Sequence, residues 1–91
     1  MTENEVRVWL VERTFSDDEQ NVVITTYATP DGEREYRRER ALTTFGDADE
    51  GTPVSLTVSP SNLGAVADAD RERYARAASE ARADHDPDDT V

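Results

Sequence analysis

Four arginines, Arg34, Arg37, Arg38 and Arg40, fall within residues 34–40, with Tyr36 among them. A guanidinium presents planar N–H donors that fork onto a phosphate or a carboxylate. An aromatic ring beside it offers a stacking surface for a base. The chemistry of this segment is therefore recognition of anions, either a nucleic-acid backbone or the carboxylates of a protein surface. Trp9, Tyr27 and Phe45 are the aromatics that a sheet would bring near it. Glu33, Glu35 and Glu39 interleave with the arginines, so residues 33–40 carry only +1 (four Arg minus three Glu). The plainest use of such a segment is surface ion pairing. A protein interface comes next, and phosphate binding last.

Other constellations are weaker. His85, the single histidine, sits among Asp84, Asp86, Asp88 and Asp89. Imidazole with carboxylates suits a divalent cation, but a metal site needs ligands oriented by rigid elements and outer hydrogen bonds. A charged terminus supplies neither. Asp47, Asp49, Glu50 and Gly51 are similar to the opening of a calcium loop, which closes on a glutamate at its twelfth position. Counted from Asp47 that position is Val58, so the pattern fails. There are no cysteines, which removes disulfides, thiolate metal sites and thiol nucleophiles. No phosphate-cradling glycine loop, nucleophile elbow or histidine–nucleophile spacing is present. A non-enzyme without cofactor or metal is expected.

The elements that must hold these residues follow from periodicity and breakers. Residues 5–15 read as a first strand, with Val6, Val8 and Leu10 on one face and Trp9, Val11 and Phe15 on the other. Ser16–Asn21 is a polar connection. Residues 22–29 are β-branched and aromatic, as a second strand prefers. Pro30-Asp31-Gly32 makes a hairpin turn: proline presets the first corner and glycine takes the left-handed position. Residues 33–42 read as a third strand. A helix is the alternative, since Glu and Arg favour helices. Gly46–Pro53 is a loop, and Val54–Val58 alternates as a fourth strand. Ser59-Pro60 opens a short helical turn that Gly64 ends. A helix from Asp68 or Asp70 to about Ala83 buries Tyr74, Ala77, Ala78 and Ala81.

Ten basic residues, all arginine, stand against twenty-one Asp and Glu, for a net charge of −11 over 91 residues. At low ionic strength that charge repels itself and opposes compaction. At ~1 M salt the Debye length is about 3 Å and the repulsion fades. The composition resembles that of small acidic proteins of halophilic archaea, and the resemblance implies a salt-filled cytoplasm. No apolar run approaches the roughly 20 residues that cross a bilayer. The first residues lack the basic and apolar pattern of a signal peptide.

The sequence therefore predicts one α+β domain over residues 5–83, between an N-terminal tail (1–4) and a disordered acidic tail (84–91). Its architecture would be a four-stranded, mainly antiparallel β-meander with one C-terminal helix packed on one face. A single helix covers one sheet face, which leaves Trp9, Val11 or Phe15 as an apolar patch of the kind that marks protein contacts. The expected role is a cytoplasmic, non-catalytic interaction module that self-associates, as a homodimer, or binds a protein partner. Its contact residues would be Trp9, Val11, Phe15 and Tyr36 with Arg34, Arg37, Arg38 and Arg40. The alternative is a nucleic-acid-associated regulator using the Arg-rich strand.

Overall fold

The computed structural model describes residues 4–16, 22–41 and 52–90. Three consecutive strands, β1 (Val6–Ser16), β2 (Val22–Ala28) and β3 (Arg34–Ala41), form antiparallel neighbours. The Glu- and Arg-rich segment is thus a strand. A short strand β4 (Ser55–Val58) returns beside β1, and a two-residue strand β5 (Gly64–Ala65) pairs with the start of β3. The sheet order is β4-β1-β2-β3-β5. The fold is α+β, as the sequence predicts, but the described residues form five strands, and the meander extends only through β3. A glycine–alanine pair has no periodicity to betray it as a strand. The helical turn predicted before it exists as Pro60–Asn62.

The β1–β2 register contains the main surprise. Trp9 opposes Ala28 and Leu10 opposes Tyr27, but Glu12 opposes Thr26, with a shift between Leu10 and Glu12. Val11 is the extra residue of a β-bulge. Directly opposed residues share a face, so Trp9 and Glu12 lie on one face, while Leu10, Arg13 and position 15 lie on the other. Simple alternation puts position 15 with Trp9. The bulge reverses the parity, as any one-residue insertion must.

The β2–β3 turn is built as its residues dictate. The Gly32 N–H donates to the Thr29 carbonyl at 2.8 Å, and Gly32 has φ 75°. Asp31 accepts from the Thr29 hydroxyl and from the Glu33 N–H through the same carboxylate oxygen. These donors, the hydroxyl first, hold the Asp31 carboxyl below its usual range.

The helix α1 (Asp68–Asp84) packs on the Trp9 face of β1 and β2. Trp9 lies with Val54 and Ala78, while Ala28 lies with Val66 and Tyr74. Val11 packs against both groups, so the bulge residue joins the two halves of the core. Alanines along α1 let it approach the sheet closely. Ala78 is wholly buried, and the tip of the β2–β3 turn touches α1 at Gly32. On the opposite face Val8 and Tyr27 are fully buried, and the Tyr27 hydroxyl donates to the Pro53 carbonyl at 2.8 Å.

The C-terminal segment departs from the expected disordered tail. After α1, the Val54 N–H donates to the Asp89 carbonyl at 3.0 Å, and Pro53 and Thr90 form an antiparallel bridge. Asp89 also caps its own turn, accepting from the Asp86 N–H at 3.0 Å. Charge and proline content predict disorder because they bury nothing; these residues are held by backbone hydrogen bonds instead. Among the described residues, no helix is long and apolar enough to cross a membrane.

Candidate interaction surface

The edge of β3 is where the singled-out arginines meet an open side of the sheet. The Arg34 carbonyl accepts from the Thr29 N–H and the Arg38 carbonyl from the Thr25 hydroxyl, so even-numbered residues turn their backbone groups toward β2. The Glu33 carbonyl accepts from the Val66 N–H on the other side. By alternation the N–H and C=O groups of Glu35, Arg37 and Glu39 point away from β2. β5 pairs only with Arg34 and Glu35. Among the described residues no strand pairs with β3 beyond that point.

The same alternation divides the arginine cluster. Arg34, Tyr36, Arg38 and position 40 fall on the face of Tyr27, and Arg37 falls on the face of Glu35 and Glu39. Arg37, Arg38 and Glu39 are exposed. Arg37 approaches Glu35 at 3.8 Å, a loose pair of the kind worth little at a surface. Tyr36 is half-buried, its ring tilted at 42° to that of Tyr27 with centroids 6.4 Å apart. Burial raises the pKa of the Tyr27 phenol, against the lowering pull of Arg38. Two shallow open depressions flank β5. One, of about 300 Å³, is lined by Glu35, Arg37, Asn62, Gly64 and Ala65; the other, of about 250 Å³, includes Arg34 and Arg71. Each mixes acidic and basic groups, and Arg71 is already paired with Asp68 at 3.3 Å.

Trp9 and Val11 do not contribute to this surface. Trp9 is 3% exposed beneath α1, and Val11 is wedged against both core groups. Position 15 is placed by the register across from Val23, on the far side from Trp9. The apolar patch expected from these three residues is thus dispersed: the helix covers the face carrying Trp9, and the bulge moves position 15 away from it.

Sequence reading also missed a polar lock between sheet and helix. The Tyr74 hydroxyl donates to Glu12 Oε1 at 3.2 Å, and Arg73 reaches the same oxygen at 3.6 Å while lying 4.9 Å over the Tyr74 ring. Burial, then the Glu12 carboxylate, pushes the Tyr74 phenol up. Bonds to Asp70, and Glu12 beside it, raise Arg73. Glu12 occupies this face only because of the bulge, so alternation gave no signal for it.

No group of three or more His, Asp or Glu side chains converges as a metal site among the described residues. His85 meets Asp89 at 3.6 Å. The acidic run Asp47–Gly51 lies outside the described residues, as does Phe45.

A family model described as "Family of unknown function (DUF7967)" matches residues 2–91. The chain belongs to this family. No curated protein matches it, and no solved structure does. The DUF7967 match spans sheet, helix and C-terminal segment together, so the bulge, the turn at Gly32 and the β3 edge all lie within the family domain.

Proposed function

We propose that this protein is a small non-catalytic interaction module of a salt-adapted cytoplasm, and that it binds a protein chain along the β3 edge. The observation that carries this reading is the row of outward backbone groups at Arg37 and Glu39, flanked by exposed charged side chains and left without a strand partner among the described residues. An unpaired edge is a template for strand addition. β4 is the other edge of the sheet, but it is only four residues long, and the C-terminal segment bonds to Pro53 and Val54 just before it.

Arg37 lies on the opposite face from Arg34, Arg38 and Tyr36, which takes one of the four cations away from any single phosphate-binding surface and weighs against the nucleic-acid alternative. Phosphate binding gains from cations gathered on one surface, and each is penalised by salt. Here the carboxylates of Glu35 and Glu39 share the face of Arg37. The ring of Tyr36, half-buried against Tyr27, is a poor stacking platform. A strand edge reads backbone groups, and that recognition survives in brine.

A photo-crosslinking side chain at position 37 in the native host should trap a protein, and the same group at Thr57 on β4 should not. Glu39→Pro removes an outward N–H while sparing the β2 ladder, and proline is tolerated at such edge positions. That variant should keep its melting temperature and lose the trapped product. Trapping that persists in folded Glu39→Pro, or that occurs only at position 57, sinks the β3 reading.

A further inference from the structure

We infer that the chain added to the β3 edge is a second copy of the same protein, paired antiparallel about Arg38. This rests on the β3 reading above and names its partner.

Two constraints select the register. The first is hydrogen-bond parity. Only odd-numbered residues of β3 present backbone groups outward, so in an antiparallel pair an odd position must oppose an odd position, and an even one an even one. A two-fold axis can then pass through residue 37, 38 or 39, but not between residues.

The second constraint is charge. An axis at Arg37 sets Arg37 against its own copy and Glu35 against Glu39. An axis at Glu39 sets Glu39 against its own copy. An axis at Arg38 sets Arg37 against Glu39 of the second copy, and Glu39 against Arg37 of the second copy. These opposite charges fall at hydrogen-bonded positions on one face, where cross-strand pairs attract and like charges repel. The adverse pair in this register is Arg38 against its own copy, one like-charge pair set against two opposite-charge pairs, and salt screens both kinds alike.

Among the described residues, no strand occupies the place of this ladder. β5 stops at Glu35, and beyond it an open depression lies beside Arg37. The pairing ends where β5 of each copy begins, which keeps the ladder short. Arg37, Arg38 and Glu39 are all exposed, and Arg38 and Glu39 make no ion pair among the described residues.

The chain contains no cysteine, which makes the register directly readable. At a non-hydrogen-bonded position the Cα atoms of opposed residues lie about 4.5 Å apart, within the range that a disulfide spans. Arg38→Cys should therefore form a covalent dimer under mild oxidation, and Arg37→Cys, which opposes residue 39, should not. Sedimentation at the lowest salt that keeps the protein folded supplies the energetic test. Arg37→Glu and Glu39→Arg should each weaken self-association roughly tenfold, since each turns both attractive pairs repulsive. The double variant Arg37→Glu/Glu39→Arg should restore it, and Arg38→Thr should strengthen it.

A dimer indifferent to these reversals, or one that stays unlinked in the Arg38→Cys variant, overturns the register. A protein that stays monomeric at high concentration in ~2 M KCl overturns self-pairing. The β3 reading itself then stands if the side chain at position 37 traps a different protein, and fails if it traps none.

Discussion

Gly32, at the tip of the β2–β3 turn, lies against the carbonyl oxygen of Arg71 on α1. A Cβ built on Gly32 would overlap that oxygen and sit 2.8 Å from Ala75 Cβ and 2.9 Å from Ala75 N. The residue also has φ 75°, where a side chain costs roughly 1–2 kcal/mol. Conformation and contact thus both demand glycine. Gly32→Ala should displace the turn from the helix and cost more than the conformational penalty alone. Chemical denaturation should show a loss above about 2 kcal/mol. A variant within a few tenths of wild type would mean that α1 does not seat on this turn.

Trp9 is the largest side chain in the group that binds the sheet to α1, packed with Val54 and Ala78. Truncating such a residue costs about 3–5 kcal/mol, a large share of the about 5–15 kcal/mol that holds a domain together. Trp9→Ala should lower the melting temperature sharply. Because Trp9 lies under the helix and not at the β3 edge, the variant, while folded, should keep the wild-type association state. A change in assembly without a change in stability would return Trp9 to an exposed interface.

The contrast between these two positions explains what the sequence discloses. Pro30, Asp31 and Gly32 set their own backbone angles, so the turn is legible without tertiary information. Asp68 and Asp70 at the positive end of α1, with Tyr74 and Ala78 on one stripe, likewise mark the helix from within. The bulge at Val11 has no such local mark. Trp9-Leu10-Val11 is a run of apolar residues that alternation assigns in either phase, and only pairing with β2 fixes which residue is extra. Every face assignment after it inverts, including those of Glu12 and position 15. The arginine cluster is legible as a cluster, but its division between two faces and its place on an edge are properties of the assembled sheet.

Tyr74 and Glu12 give that inversion a pH signature. The folded Tyr74 phenol is raised above 10.0, first by burial and then by the Glu12 carboxylate. A raised folded pKa contributes stability that is fully present below the unfolded value and lost as pH rises through the folded one. The loss should begin near pH 10. Tyr27, raised first by burial, acts in the same direction. Tyr74→Phe should cost about 1 kcal/mol at neutral pH for the lost hydrogen bond, and should make the alkaline decline shallower without abolishing it. An unchanged profile above pH 10 would remove Tyr74 from the lock.

Asp31 sets the opposite limb. Its carboxyl is held below 3.8 by the Thr29 hydroxyl and the Glu33 N–H. A depressed folded pKa contributes stability that is present above the unfolded value and lost as pH falls through the folded one. Below about pH 3.8 the turn should weaken. Asp31→Ala should cost about 1 kcal/mol at neutral pH and lose less stability on acidification than the wild type. Thermal melts from pH 2 to pH 6 decide this; parallel curves for the two proteins would exclude the turn as a source of acid sensitivity.

Salt acts on the whole surface, and two effects compete. The helix pairs Arg71–Asp68, Arg73–Asp70 and Arg76–Glu72 are screened as salt rises. They are exposed or nearly so, and such pairs add little to stability. Against them stands the self-repulsion of a net charge of −11, which salt relieves. Exclusion of salt from the surface adds to burial, more for sulfate than for chloride. Repulsion should dominate, so the melting temperature should climb from millimolar to ~2 M KCl and climb further in sulfate. Each kcal/mol of relieved repulsion is worth about 4–8 °C in a domain of this size. Replacing the exposed carboxylates of Asp84 and Asp88 with asparagine should flatten the low-salt limb, since repulsion is its source. A circular dichroism melt that is unchanged between millimolar and molar KCl would show that the acidic surface was not shaped by brine.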